Sequence, residues 1–160
     1  MSIEFKMRKR TISVLFLISI LASSCSPQCH QWKLAVIKAD CPPARYIRVY
    51  LPACNTFNGM ETVLMSHNGS IRLYLNVFTL LFPYDDETDQ EHTSVFIAIG
   101  EEKYCFIADR LQGGQCLALP DEATELIVNS LLENQCVKIS TGRYQTTLIC
   151  DNFATAYYRL

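Results

Sequence analysis

Apolar and polar residues alternate with a period of two over most of the chain, the spacing of half-buried β-strands. Over 46–51, Ile47, Val49 and Leu51 oppose Tyr46, Arg48 and Tyr50. Upstream, Leu34 and Val36 alternate with Lys33 and Ala35, and Pro42-Pro43 ends that shorter strand. The sharpest local signal is Asn68-Gly69, between the apolar-rich runs 62–67 and 70–82. Asn-Gly supplies the positive backbone angles of a type I′ turn, whose twist matches two antiparallel strands, so a hairpin is predicted there. In its second arm Ile71, Leu73, Leu75 and Val77 share one face and Arg72, Tyr74 and Asn76 the other. Further antiparallel pairs are predicted for 94–99 with 103–109 and for 136–140 with 144–150. In the first of these, Val95, Ile97 and Ile99 oppose Phe96 and Ala98. A short strand over 115–119 follows the turn at Gly113-Gly114.

After Pro120 the period lengthens to that of a helix. Ala123, Leu126, Ile127, Ser130 and Leu131 fall on one side of a predicted helix from Asp121, its N-cap, to the region of Glu133. Glu122 and Glu125 favour its positive end. Phe153, Ala156, Tyr157 and Leu160 repeat at helical spacing and predict a short C-terminal helix. The expected fold is α+β: a mostly antiparallel sheet in a small, sandwich-like domain, with one packed amphipathic helix and a short terminal one.

The first 31 residues break this pattern. Lys6, Arg8, Lys9 and Arg10 precede an apolar run over 11–21 and then Ala22-Ser23-Ser24-Cys25, the layout of a secretory signal peptide. The run falls short of the about 20 apolar residues that a membrane span needs. A cysteine directly after small residues resembles the lipobox of bacterial lipoproteins, with Ala22 in the place usually held by Leu and Leu21 one residue earlier. That resemblance implies that Cys25 is acylated, becomes the mature N-terminus and anchors the chain in a lipid bilayer. Ser26 after it implies the outer membrane. Ordinary cleavage after Ser24, giving a freely secreted chain, is the alternative. The expected organisation is a signal peptide over 1–24, a lipid-anchored stem over 25–31 and a single domain over 32–160.

Loss of residues 1–24 removes four of the 14 basic and one of the 16 acidic residues, so the rest carries a net charge of −5. An acidic surface excludes nucleic acid as the expected partner, because phosphates demand a basic patch. In an exported chain the eight cysteines read first as disulfides. At least two bridges are expected among Cys41, Cys54, Cys105, Cys116, Cys136 and Cys150; if Cys25 is acylated, Cys29 in the stem is the odd thiol. No Cys-x-x-Cys pair or spaced histidine pair suggests a metal, and no cofactor is expected. The acidic stretch over 85–92 lacks the frame of a calcium loop and reads as solvated.

Catalytic chemistry finds little support. His30, His67 and His92 are placed by the sequence in the stem, at a hairpin tip and in the acidic loop, where a base is poorly held. Asp109, Asp121 and Glu122 could supply a carboxylate pair, but such pairs arise by chance in acidic domains. A small extracytoplasmic hydrolase is therefore the alternative to a non-enzymatic binding or structural module for an envelope protein or glycan. The tyrosines on outward strand faces, Tyr46, Tyr50 and Tyr74, are the expected contact residues, since their rings are apolar in body and polar at the tip. Over the last third, the strand, helix, hairpin and Phe153-Ala154-Thr155-Ala156-Tyr157 ending resemble the layout of small periplasmic proteins of the invasion-associated locus B type. That resemblance carries no functional residues across.

Metabolic labelling with an alkyne fatty acid is expected to mark the native protein and not its Cys25→Ala variant. An unlabelled native protein would sink the anchor and leave free secretion.

Overall fold

Nine strands pair in a single antiparallel sheet in the order β1-β2-β3-β4-β7-β6-β5-β8-β9. The computed structural model describes residues 30–40, 43–67, 70–85 and 88–160. The strands are β1 (Lys33–Asp40), β2 (Pro43–Leu51), β3 (Glu61–His67), β4 (Ser70–Asn76), β5 (His92–Ile99), β6 (Glu102–Arg110), β7 (Cys116–Ala118), β8 (Val137–Thr141) and β9 (Tyr144–Leu148). Two helices complete the fold, α1 (Asp121–Leu132) and α2 (Phe153–Tyr157). The α+β, mostly antiparallel expectation holds, with one continuous sheet where a sandwich would have two.

The alternation of residue types becomes an alternation of burial. Val49 and Leu51 on β2, Leu73 and Leu75 on β4, Val95 and Ile97 on β5, and Val137 and Ile139 on β8 all turn inward. α1 lies against this inner face, burying Ala123, Ile127, Val128 and Leu131. Its Thr124 hydroxyl accepts the Leu73 amide of β4 at 3.3 Å, which ties the helix to the sheet. The helix start differs from expectation: Pro120 is the N-cap, and Asp121 is the first helical residue with no capping bond. Asp121 and Glu122 instead sit in the first turn, where negative charge faces the positive helix end.

A second difference concerns β4. The apolar run to Phe82 predicts a strand of that length, yet pairing stops at Asn76. Only isolated bonds continue, from the Val77 amide to the Gln115 carbonyl at 3.0 Å and from the Phe82 amide to the Gly114 carbonyl at 2.8 Å. Phe82 turns into the core against Tyr144, whose hydroxyl donates to the Leu80 carbonyl at 2.9 Å. Phe78, Leu80 and Leu81 are left exposed. The Asn68-Gly69 turn lies outside the described residues, while β3 and β4 pair in register up to His67 and Ser70 on either side of it.

The two ends of the sheet are brought together by Trp32, just before β1. Its indole Nε1 donates to the Ile149 carbonyl at 2.7 Å, past the end of β9. Asn152 then pairs with the Trp32 backbone in both directions: Oδ1 accepts the amide at 3.0 Å and Nδ2 donates to the carbonyl at 2.9 Å. The side-chain amide thereby imitates a neighbouring strand. The indole itself is 3% exposed and meets the Phe153 ring edge-on at 4.8 Å between centroids.

Asn152 has φ of +56°, a left-handed conformation that asparagine adopts more readily than most side chains. Asn152→Gly keeps that conformation and loses both bonds, so urea unfolding should show a loss of about 1–3 kcal/mol. Asn134, with φ of +62° in the turn after α1, is the control, and Asn134→Gly should leave stability within about 0.5 kcal/mol. Equal responses at the two sites would contradict the closure role of Asn152.

Candidate functional site

The outer face of the sheet carries the residues that sequence alternation assigns to solvent. Tyr50 on β2, Val63 on β3 and Tyr74 on β4 form one row, flanked by Lys33 of β1 and Ala118 of β7. Tyr46 lies on the same face, opposite Ile37. The structure thus brings the three expected contact tyrosines to one surface, and each is half-buried. Arg48 explains part of that cover, its guanidinium lying 4.7 Å from the centre of the Tyr50 ring.

A more open aromatic surface lies on the other half of the sheet. Phe96 projects outward from β5 and is 54% exposed. It shares a row with Cys105, Ser140 and, on β9, Gln145; the next row is Lys103, Ala98, Lys138 and Thr147. Ala98 is the smallest of these, and it leaves a depression between the two lysines beside the Phe96 ring. Together with the loop over 54–59 and His30, these rows bound a groove of about 780 Å³. That volume is in the range of small-ligand sites.

The loop wall is held by Asn55. Its Oδ1 accepts the amides of Phe57, Asn58 and Gly59 at 3.1, 2.9 and 3.2 Å. A Cβ on Gly59 would stand 2.4 Å from the Asn55 carbonyl, so glycine is required for this close return. The Asn58 carbonyl then accepts the Gln145 amide of β9 at 2.9 Å, fixing the wall to the sheet edge.

The cysteines do not take the arrangement expected. Cys105, Cys116, Cys136 and Cys150 are free thiols. Cys105 faces solvent from β6, Cys116 begins β7, Cys136 lies between α1 and β8, and Cys150 follows β9. The alternation that put them in or beside strands sets no cross-strand partner opposite any of them: Cys105 faces Phe96 and Cys116 faces Asn76. Burial pushes the Cys116 thiol up to about 11, which keeps it protonated and unreactive. Cys54 lies exposed in the loop over 54–59 and lines the groove. Cys25, Cys29 and Cys41 lie outside the described residues.

His92 opens β5 instead of lying in the acidic loop, and its ring bridges two carboxylates. Nδ1 is 2.9 Å from both oxygens of Asp89, and Nε2 is 3.7 Å from Asp109 on β6. Neither nitrogen is turned to a nucleophile, and the nearby Ser94 hydroxyl donates to Asp85 instead. Asp109 borders a cavity with His92 and Tyr84, whereas Asp121 borders one beside α1, so the carboxylate pair considered from sequence does not converge. Among the described residues no group of three His, Cys, Asp or Glu side chains is placed to hold a metal ion.

The hydrogen bond that His92 donates to Asp89, then the charge of Asp89, raises the His92 pKa above the usual 6.5, and the same bond lowers that of Asp89 below 3.8. A raised histidine stabilises the fold fully below 6.5 and loses the effect as pH climbs through its folded value; a lowered carboxylate stabilises above 3.8 and loses it as pH falls. The clamp from β5 to the acidic loop is therefore complete between these two values. An NMR titration should place the His92 midpoint above 6.5 and move it down in Asp89→Asn; a native midpoint at or below 6.5 would refute the clamp. The chain matches no protein-family model, no curated protein and no solved structure, so its function rests on this geometry.

Proposed function

We propose that the protein is an envelope lipoprotein, anchored in the outer membrane through acylated Cys25, whose domain binds another envelope macromolecule, protein or glycan, without catalysing a reaction. The observation that carries this reading is Phe96, more than half exposed at the floor of a largely apolar groove that also presents amides, hydroxyls and two lysines. An aromatic ring held open on a rigid sheet, with convergent polar groups around it, is the composition of a recognition surface. Tyr46, Tyr50 and Tyr74 extend the aromatic content of the same sheet face across β2 and β4.

The hydrolase alternative draws no support from His92 or His30. His92 is engaged by a carboxylate on each ring nitrogen, and His30 borders the groove with no carboxylate lining it among the described residues. A nucleophile activated by a positioned base requires a contact that neither makes.

The test is photo-crosslinking in intact cells with benzoylphenylalanine at positions 50, 74 and 96, and at Glu125 on the exposed side of α1 as control. Higher-mass adducts are expected from the sheet positions, strongest at 96, and not from 125. Adducts at none of the sheet positions would overturn the binding reading.

A further inference from the structure

β9 pairs on one side only, with β8. Along its other side, the Gln145 amide is taken by the Asn58 carbonyl and the Ile149 carbonyl by the Trp32 indole. Backbone groups of alternate residues point the same way in a strand. The Thr147 N–H and C=O, midway between those contacts, therefore point off the same edge, and no partner meets them among the described residues. An edge framed in this way by two occupied positions is a template for one short added strand.

The surroundings of Thr147 give that strand its chemistry. Lys138 stands directly beside Thr147 on β8, and Lys103 lies two strands further, on β6 across Ala98 of β5. No carboxylate lines the groove among the described residues, although acidic residues outnumber basic ones in the chain. The local charge is thus opposite to that of the molecule. We propose that the groove takes an extended, carboxylate-bearing peptide segment of a partner protein, pairing its main chain with Thr147 and an acidic side chain with Lys138, while Lys103 adds positive charge at longer range. This rests on the binding reading above and narrows the partner to an acidic strand.

Main-chain pairing supplies the register and the lysines supply the preference, the division of labour seen in strand addition to sheet edges.

The test uses the full mature chain in detergent and a fluorescent decapeptide of alternating Glu and Val, read by anisotropy. The lysine counterpart of that peptide and an oligogalacturonate are the competitors. Binding of the acidic peptide is expected, with a loss of about tenfold or more in a Lys138→Glu variant, where the charge pair becomes a repulsion. Thr147→Pro removes the edge donor at a position where proline is tolerated, and should weaken binding by a similar factor with an unchanged melting curve. Thr147→Ala, which keeps the main chain, should bind as the native protein does. Native affinity in a folded Thr147→Pro protein, or equal binding of the lysine peptide, would overturn the proposal. Oligogalacturonate binding that ignores Thr147→Pro would make the groove a glycan site, defeating the peptide while leaving the binding reading intact. No binding by either probe, with crosslinks still formed at position 96, defeats the peptide alone; loss of the crosslinks as well defeats both.

Discussion

A single antiparallel sheet of nine strands has one apolar face to bury and two edges to protect, and here both needs meet at Trp32. The sheet must coil to enclose its own inner face, and the coil brings the start of β1 to the end of β9. Trp32 holds that junction with its indole on Ile149 and its backbone on the Asn152 amide. A buried indole donor left without an acceptor would cost on the order of 1–3 kcal/mol, so the bond is needed wherever the ring is buried. α1 then fills the enclosed space, and α2 brings Phe153 beneath the indole.

The groove follows from that closure. β9 comes to the junction with an open edge, and the loop over 54–59 reaches across to it through Asn58. The loop can do so because Asn55 folds its backbone into a tight return that Gly59 permits. The same geometry acts at the next turn, where Gly142, with φ of +52°, lies so near Pro83 that a Cβ would stand 2.6 Å from its ring. Segments that sequence places in loops are thus fixed by specific contacts, and the loop over 54–59 walls a site whose floor is regular sheet.

Much of this was legible in the sequence. Period-two alternation gave the inward sets of β2, β4 and β5, and Asn68-Gly69 placed the β3–β4 pair. The outward tyrosines were visible in the same alternation. So was Phe96, an apolar ring on the polar face of an alternating strand, but alternation alone does not tell how exposed such a residue stays. That depends on its neighbours on the face, and Ala98 and Ser140 are too small to cover it. Asn152 and Asn55 were not legible, because a side-chain amide acting as a strand partner or a loop core leaves no periodic mark. The end of β4 was misread because an apolar run predicts burial, not pairing: Phe82 reaches the core from outside the ladder. Cysteine count suggested bridges for a similar reason. Parity and compartment favour disulfides, but only three-dimensional register can bring two Cβ atoms to the required separation.

Charge separates how a partner approaches from how it is held. Residues 25–160 carry −5, so an acidic segment meets net repulsion at long range. Screening shortens that reach to about 8 Å at physiological ionic strength, while a carboxylate in contact with Lys138 lies well inside it. Moderate salt therefore removes the distant repulsion before it removes the local attraction. The acidic stretch around Asp85 and Asp89 adds to this division, since its clamp through His92 fixes negative charge at the start of β5, two positions along the same outer face from Ser94 and four from Phe96. The lysine row opposite Thr147 and the carboxylates around His92 together give the outer face a direction, which uniform charge could not do.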